Sequence, residues 1–246
     1  MKKIITALLI TLLPALGFAS AGGIHLDKAD VNIHDQASLQ NGAKLFVNYC
    51  LSCHSAAYMR YNRMGKDLGL SEEQVTNNLM FAADKIGETM TVAMPANDAK
   101  NWFGTKIPDL TVVARARGAD WLYTYLRTFY LDPSRPWGVN NATFKDVGMP
   151  HVLWELEGLK QPVYETHKDH DGNETKRIVD YEIVQPGKMS EAEYDNAVRD
   201  LVNFMVYMGE PAKLSRYNIG VWVLLFLALL FVVSYAMKKE FWKDVH

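Results

Sequence analysis

Two cysteines stand with two residues between them and a histidine follows at once, in Cys50-Leu51-Ser52-Cys53-His54. Nothing else in this chain constrains it as tightly. On a helical turn, residues three and four apart share a face, so Cys50, Cys53 and His54 point the same way. This is the spacing of a covalent c-type haem attachment site. The two thiols meet the vinyl groups of one porphyrin as thioethers, and the His54 imidazole stands beneath the ring, where it can hold the iron. Haem with a protein axial ligand does one-electron chemistry, which points to electron transfer. The pair has two other readings: half of a zinc site, or a dithiol redox couple. The first wants a second paired cluster, and the chain has no third cysteine. The second belongs at the end of a strand in a βαβ pattern, which the sequence does not display.

The ends of the chain set its surroundings. Lys2-Lys3, the apolar stretch Ile4 to Phe18 and the small residues Ala19-Ser20-Ala21 have the layout of a secretory signal peptide over residues 1–21, with a mature start near Gly22. Asn218 to Met237 carries no charge and is long enough to cross a bilayer as a helix. We therefore expect a haem domain over 22–216, a transmembrane helix over 217–237 and a tail over 238–246. Lys238, Lys239 and Lys243 place that tail in the cytoplasm by the positive-inside rule, and so the body on the outer side. In an oxidising compartment two lone cysteines tend to pair with each other; thioether capture of a haem consumes both. The formal net charge is −2, which gives no nucleic-acid signature. With most of the terminal charges being lysines, the body between the apolar runs is mildly acidic.

The 246 residues suffice for one sizeable domain with appendages. Ser38 to His54 reads as a helix carrying the attachment site, with Leu39, Gly42, Phe46 and Tyr49 at three- and four-residue spacing. Gly42 would let another helix cross closely. Its natural partner lies far downstream, where Ser190-Glu191-Ala192-Glu193 is a capping box. That box opens a helix with Tyr194, Val198, Leu201, Phe204 and Met205 on its apolar side, ending near Gly209-Glu210-Pro211. Ser71-Glu72-Glu73-Gln74 opens another helix, expected to run through Leu79 and Phe81. Trp102-Phe103-Gly104 and Ile107-Pro108-Asp109-Leu110 read as loop and turn. A helix carrying Arg115, Arg117, Trp121, Leu122 and Tyr125 follows. Residues 160–188 are polar, with Asp171-Gly172 between short β-rich runs, and read as an exposed hairpin excursion. Its His167 and His170 are more simply exposed loop histidines than metal ligands.

A second axial ligand is harder to find. Met94-Pro95 and Met149-Pro150 both set a methionine before a proline, which restrains it to extended geometry and suits a loop presenting a ligand. Local chemistry does not choose between them, although Gly148 leaves Met149 a neighbour without a side chain.

Taken in order, Cys50-Leu51-Ser52-Cys53-His54-Ser55, Tyr58-Met59-Arg60-Tyr61-Asn62, Pro108-Asp109-Leu110, Arg115-Ala116-Arg117, Gly148-Met149-Pro150 and the single C-terminal anchor resemble the cytochrome c1 family. The resemblance runs over nearly all of the mature chain. It implies the haem subunit of a ubiquinol–cytochrome c oxidoreductase (cytochrome bc1 complex) of bacterial type, in the inner membrane with its haem domain in the periplasm. It further implies one covalent haem c on Cys50 and Cys53, His54 as proximal ligand and Met149 as distal ligand. Arg117 would pair with a haem propionate, and Pro108 and Trp121 would line the crevice. The implied partners are cytochrome b and a Rieske iron–sulfur protein, with cytochrome c as electron acceptor. Compared with mitochondrial members the chain is shorter around Gly118 to Asp120, and it differs in the hairpin excursion.

The expected fold is thus mainly α-helical, a cytochrome c-type haem domain with a small hairpin excursion and one C-terminal transmembrane helix. The chain would not be catalytic alone, serving as an electron-transfer subunit of the reductase. The rival readings are a free-standing membrane-anchored cytochrome c and a haem enzyme with an open iron position.

Overall fold

The structure is a computed structural model that describes residues 25–92, 94–168 and 174–244. The expected signal segment, His170 and the Asp171-Gly172 turn lie outside these residues. Helix α1 (Gln36–Leu45) starts at Asp35, whose carboxylate accepts from Ser38 N at 3.1 Å. It continues directly into a wider π-helical turn, Phe46–Cys50. Strand β1 (Ala56–Arg60) pairs antiparallel with the short β2 (Thr89–Met90), and α2 (Tyr61–Asp67) and α3 (Glu72–Asn78) lie between them. Ser71 caps α3 as expected, with Gln74 N donating to Ser71 Oγ and Ser71 N donating back to Gln74 Oε1. Helix α4 (Ala96–Phe103) follows, then α5 (Val113–Arg117) and α6 (Ala119–Arg127). The hairpin β3 (Phe129–Leu131) with β4 (Val139–Asn141) leads to the short α7 (Trp154–Glu157) and the long hairpin β5 (Gly158–Lys168) with β6 (Glu174–Pro186). Helices α8 (Glu191–Gly209) and α9 (Lys213–Phe241) complete the chain.

Helices α1 and α8 cross at Gly42. A Cβ there would stand 2.1 Å from the Asp200 carbonyl oxygen and 2.7 Å from Phe204 Cβ, so the two backbones approach as only glycine permits. Polar groups pin the crossing: Ser38 Oγ and Asn41 Nδ2 donate to the Asp200 carboxylate at 2.7 and 2.8 Å. Phe46 and Phe204 meet beneath it, ring centroids 5.6 Å apart and both buried. Burial of two such rings contributes about 3–6 kcal/mol in all. Tyr194, Val198, Leu201, Phe204 and Met205 of α8 are all buried, as their spacing predicts.

The structure departs from the sequence reading in four places. The helix expected across Arg115 to Tyr125 is two helices, broken at Gly118 with φ +92° and ψ 154°; glycine alone enters that region freely, so the helix turns a corner there. Trp102 and Phe103 form the last turn of α4, which Gly104 ends in a left-handed conformation. Helix α3 stops at Asn78, and Phe81 beyond it is exposed. The first helix gives way to the π turn before Cys50, and His54 lies past its end.

Helix α6 is held from two sides. Arg127 forks onto Asp195 of α8, Nε to Oδ1 at 2.5 Å and Nη2 to Oδ2 at 2.9 Å, and reaches Asp27 at 2.7 Å. Ala29 N donates to Asp120 Oδ1 at 2.9 Å, while Tyr194 Oη donates to the Leu126 carbonyl at 2.8 Å. The β5–β6 hairpin is anchored at its base, where Lys160 Nζ donates to the Arg127 carbonyl and to Glu157 at 2.6 and 2.5 Å. Helix α9 is different in kind. None of its residues is buried, and its apolar stretch has a mean hydropathy of 2.6. It is long and apolar enough to cross a membrane.

Candidate haem site

The π turn delivers the attachment residues onto one tight turn. Leu51 N reaches back five residues to the Phe46 carbonyl at 3.0 Å, and the Cys50 carbonyl then accepts from both Cys53 N and His54 N, at 3.1 and 2.8 Å. Such π segments recur where a helix must rotate a functional side chain out of its α-helical register. Cys50 is buried, and that burial, with the charge of Cys53 adding, pushes its thiol up to about 12. Cys53 is half-buried. Both are free thiols.

His54 is oriented by Pro108, whose carbonyl lies 2.8 Å from Nδ1. A carbonyl can only accept, so Nδ1 carries the proton and Nε2 keeps its lone pair for a metal. Burial lowers the imidazole pKa, opposed by the Pro108 hydrogen bond and by the charge of Asp109. Burial thus favours the neutral form of the ring, the form that can bind a metal.

The Pro108 carbonyl is itself fixed by its neighbours. Leu110 N donates to the Ser55 carbonyl at 2.8 Å, and the Asp109 carboxylate accepts from Ala57 N and Thr111 N, each at 2.8 Å. Val92 N donates to Ser55 Oγ at 3.0 Å. Asp109 and Ser55 thus do positioning work that the sequence reading did not assign. The signal for Asp109 was present in Pro108-Asp109, since an aspartate bonding the backbone two residues on is an Asx turn. Beside this turn lies a cleft of about 370 Å³ lined by Cys53, Ser55, Val92, Met94, Lys106 and Pro108 among others.

A second group gathers on α6. Trp121 stacks on Tyr125 with centroids 5.0 Å apart and 8° between planes, the geometry that an i, i+4 pair allows. The Tyr125 hydroxyl donates to Met149 Sδ at 3.3 Å, and Met149 is half-buried against the core. The Arg117 guanidinium lies over the rings of Trp121 and Phe144, at 4.9 and 5.8 Å. It is exposed, and no carboxylate pairs with it among the described residues. Arg115 instead lays its stem near Gly209. The structure therefore brings Cys50, Cys53, His54 and Pro108 together on one side, and Arg117, Trp121 and Met149 on another. Among the described residues no hydrogen bond or ring contact joins the two groups.

The donors present suit a c-type haem. A pair of free thiols flanks one imidazole with a single available nitrogen, and a thioether sulfur is held in a half-buried loop. Among the described residues no group of three or more His, Cys, Asp or Glu side chains is placed to hold a metal ion directly.

Comparison with known proteins gives a concordant picture. A family model described as the Cytochrome C1 family matches residues 27–245. The chain is 51% identical to cytochrome c1 of Allochromatium vinosum over 246 residues, the whole of both chains. It is 46% identical over 239 residues to the ammonia monooxygenase gamma subunit of Nitrosomonas europaea, covering 97% of each. Cytochrome c1 of Rhodospirillum rubrum is 25% identical over 272 residues, covering 99% of this chain and 97% of that protein.

Proposed function

The chain belongs to the cytochrome c1 family, and from that premise we propose how its residues serve the electron-transfer role. It is the haem subunit of a cytochrome bc1 complex, membrane-anchored and carrying one covalently attached haem c. The bound haem supplies one-electron exchange at its iron. Cys50 and Cys53 provide the thioether links. His54 supplies the proximal nitrogen, Nε2, and Pro108 holds the imidazole in the required tautomer and orientation. Met149 would supply a sulfur to the iron, and Trp121 would line the crevice. A histidine nitrogen and a methionine sulfur both committed to the iron would leave no open position for a substrate, the opposite of what a haem enzyme needs. The observation that carries this reading is the 2.8 Å contact between His54 Nδ1 and the Pro108 carbonyl. It leaves Nε2 as the one available nitrogen, a residue away from the second cysteine.

Met94 was the competing candidate for the distal position. It shares its cleft with Pro108, the residue that takes the Nδ1 edge of His54. The choice of Met149 over Met94 rests on the family resemblance of Gly148-Met149-Pro150.

The electron arrives from a Rieske iron–sulfur protein and leaves to cytochrome c, with cytochrome b completing the complex. The haem domain faces the periplasm, and the inner membrane holds α9. Purification from detergent-solubilised membranes tests the assembly: cytochrome b and a Rieske protein are expected to accompany this chain in constant ratio. Recovery of the chain alone, still holding haem, would return the free-standing carrier, which family membership does not favour.

Topology has its own test. Since no residue of α9 is buried, truncation after Arg216 uncovers no core. It keeps the Arg216–Glu210 ion pair. The truncated chain is expected in the periplasm as a soluble haem protein beginning near Gly22. Its recovery from the cytoplasm with an uncleaved leader would overturn the proposed orientation.

Arg117, exposed above Trp121 and without a carboxylate partner in the described residues, is proposed as the partner of a haem propionate. Such a charge-assisted pair neutralises an anion near the iron. Arg117→Leu is expected to favour the ferric form about fivefold, a fall of about 40 mV at 59 mV per decade. Redox titration of the otherwise intact protein reads this directly. An unchanged midpoint moves the role to Arg115 or to neither arginine.

A further inference from the structure

We propose that Tyr125 is a positioning residue that tunes the iron through Met149, its hydroxyl donating a hydrogen bond to the sulfur that serves as distal ligand. The proposal rests on Met149 holding that position. A thioether sulfur has no hydrogen to donate, so in the 3.3 Å contact between Tyr125 Oη and Met149 Sδ the phenol is the donor. The sulfur carries two lone pairs. A hydrogen bond on one would leave the other for a metal, so the two interactions are chemically compatible on one atom.

Several observations make this contact a built feature. Tyr125 is 9% exposed, and the sulfur of Met149 is the one partner recorded for its hydroxyl among the described residues. Its ring is fixed on both faces of approach, stacked on Trp121 and set edge-on to Phe129 at 5.2 Å and 67°. Its own carbonyl accepts from Asn141 Nδ2 at 2.7 Å, tying α6 to the β3–β4 hairpin. Arg127 and Asp120 hold the same helix to α8 and to the N-terminal segment. Burial also pushes the phenol pKa well above its ordinary value, so the donor keeps its proton at all working pH.

The consequence follows from charge. A hydrogen bond to the sulfur withdraws electron density from it, which weakens its donation to ferric iron more than to ferrous iron. The contact thus adds to the rise in potential that a methionine ligand brings. A purely structural hydroxyl would need only some acceptor, because an unpaired buried hydroxyl costs about 1–3 kcal/mol; it would leave the potential unchanged when removed.

The test uses the full-length protein in its complex. Tyr125→Phe keeps the ring and its stacking and removes only the donor. Covalent haem and the sulfur–iron charge-transfer band are expected to persist, while the ferrous-to-ferric ratio at fixed poise falls about threefold, or about 28 mV at 59 mV per decade. Site-specific replacement of Tyr125 by a fluorinated tyrosine, a stronger acid and therefore a stronger donor, is expected to move the midpoint the opposite way. An unchanged midpoint in the phenylalanine variant, or shifts of the same sign in both, overturns the proposal. Met149→Leu separates the two levels: if the band survives that change, the ligand assignment itself has failed. If the band is lost and Tyr125→Phe still has no effect, the tuning role alone has failed.

Discussion

Met149→Leu is expected to abolish the sulfur–iron charge-transfer band, open the iron to carbon monoxide and lower the midpoint potential on the order of 200 mV. That is a sizeable part of the span of about 0.8 V that axial ligands command. Leucine fills a similar volume in the half-buried site and costs little in packing, typically under about 1.5 kcal/mol. The effect therefore isolates the ligand. Covalent haem on Cys50 and Cys53 should persist, because thioether bonds do not depend on the distal side. Met94→Leu is the control, and should leave the spectrum and potential in place with a modest loss of stability. Absorption spectra and redox titration of the two purified variants decide between them. Opposite behaviour would make Met94 the ligand and place the loop after Val147 elsewhere in the mechanism.

Gly42→Ala should damage the fold severely for the addition of a single methyl group. The new Cβ would fall 2.1 Å from a backbone oxygen of α8 and 2.7 Å from Phe204 Cβ, neither of which is the end of a flexible side chain. The helices must separate, loosening the Phe46–Phe204 contact and the bonds from Ser38 and Asn41 to Asp200. Overpacking of this kind costs about 1–3 kcal/mol or more, against roughly 1 kcal/mol recovered by replacing a helical glycine. A net loss of about 2 kcal/mol should lower the melting temperature by about 4–8 °C for a domain of this size, and Gly42→Val should do considerably worse. Thermal melts followed at the haem band measure both. A melting temperature unmoved by alanine would mean that the crossing is looser than the backbone positions imply.

Much of this architecture was legible before any coordinates. The apolar spacing of α8, both capping boxes and the close crossing at Gly42 follow from local rules and are found in the structure, although α3 ends at Asn78, short of Phe81. Cys50, Cys53 and His54 stand on one tight turn, as their fixed spacing predicts. What escaped were features settled by tertiary contacts. A glycine inside a helical run usually costs stability without breaking the helix, so nothing local announced the corner at Gly118. The π turn has no signature of its own in the sequence; it begins at Phe46, which packs on Phe204, and ends at the buried Cys50. The carbonyl of Pro108 was invisible because a backbone atom takes its role from where the chain passes. Tyr125 read as one more apolar position of an amphipathic helix, and only the placement of Met149 beside it shows which atom its hydroxyl meets. The choice between Met94 and Met149 likewise came from family resemblance rather than from the residues around them.

The crossing of α1 and α8 also sets an order in time. Ser38 and Asp200, which bond across it, are 162 residues apart in the chain. At roughly 5–20 residues per second of synthesis, α1 exists for on the order of ten to thirty seconds before its partner has been made. Throughout that interval the face later covered by Phe204 is bare, and the thiol of Cys50, buried in the finished domain, stands open. Closure of so distant a contact is slow in any case, because the loop entropy must be overcome first. The segment that bears Cys50, Cys53 and His54 is thus made well before the helix that covers its neighbour Phe46, which leaves a window for covalent chemistry on its cysteines before the domain shuts over them.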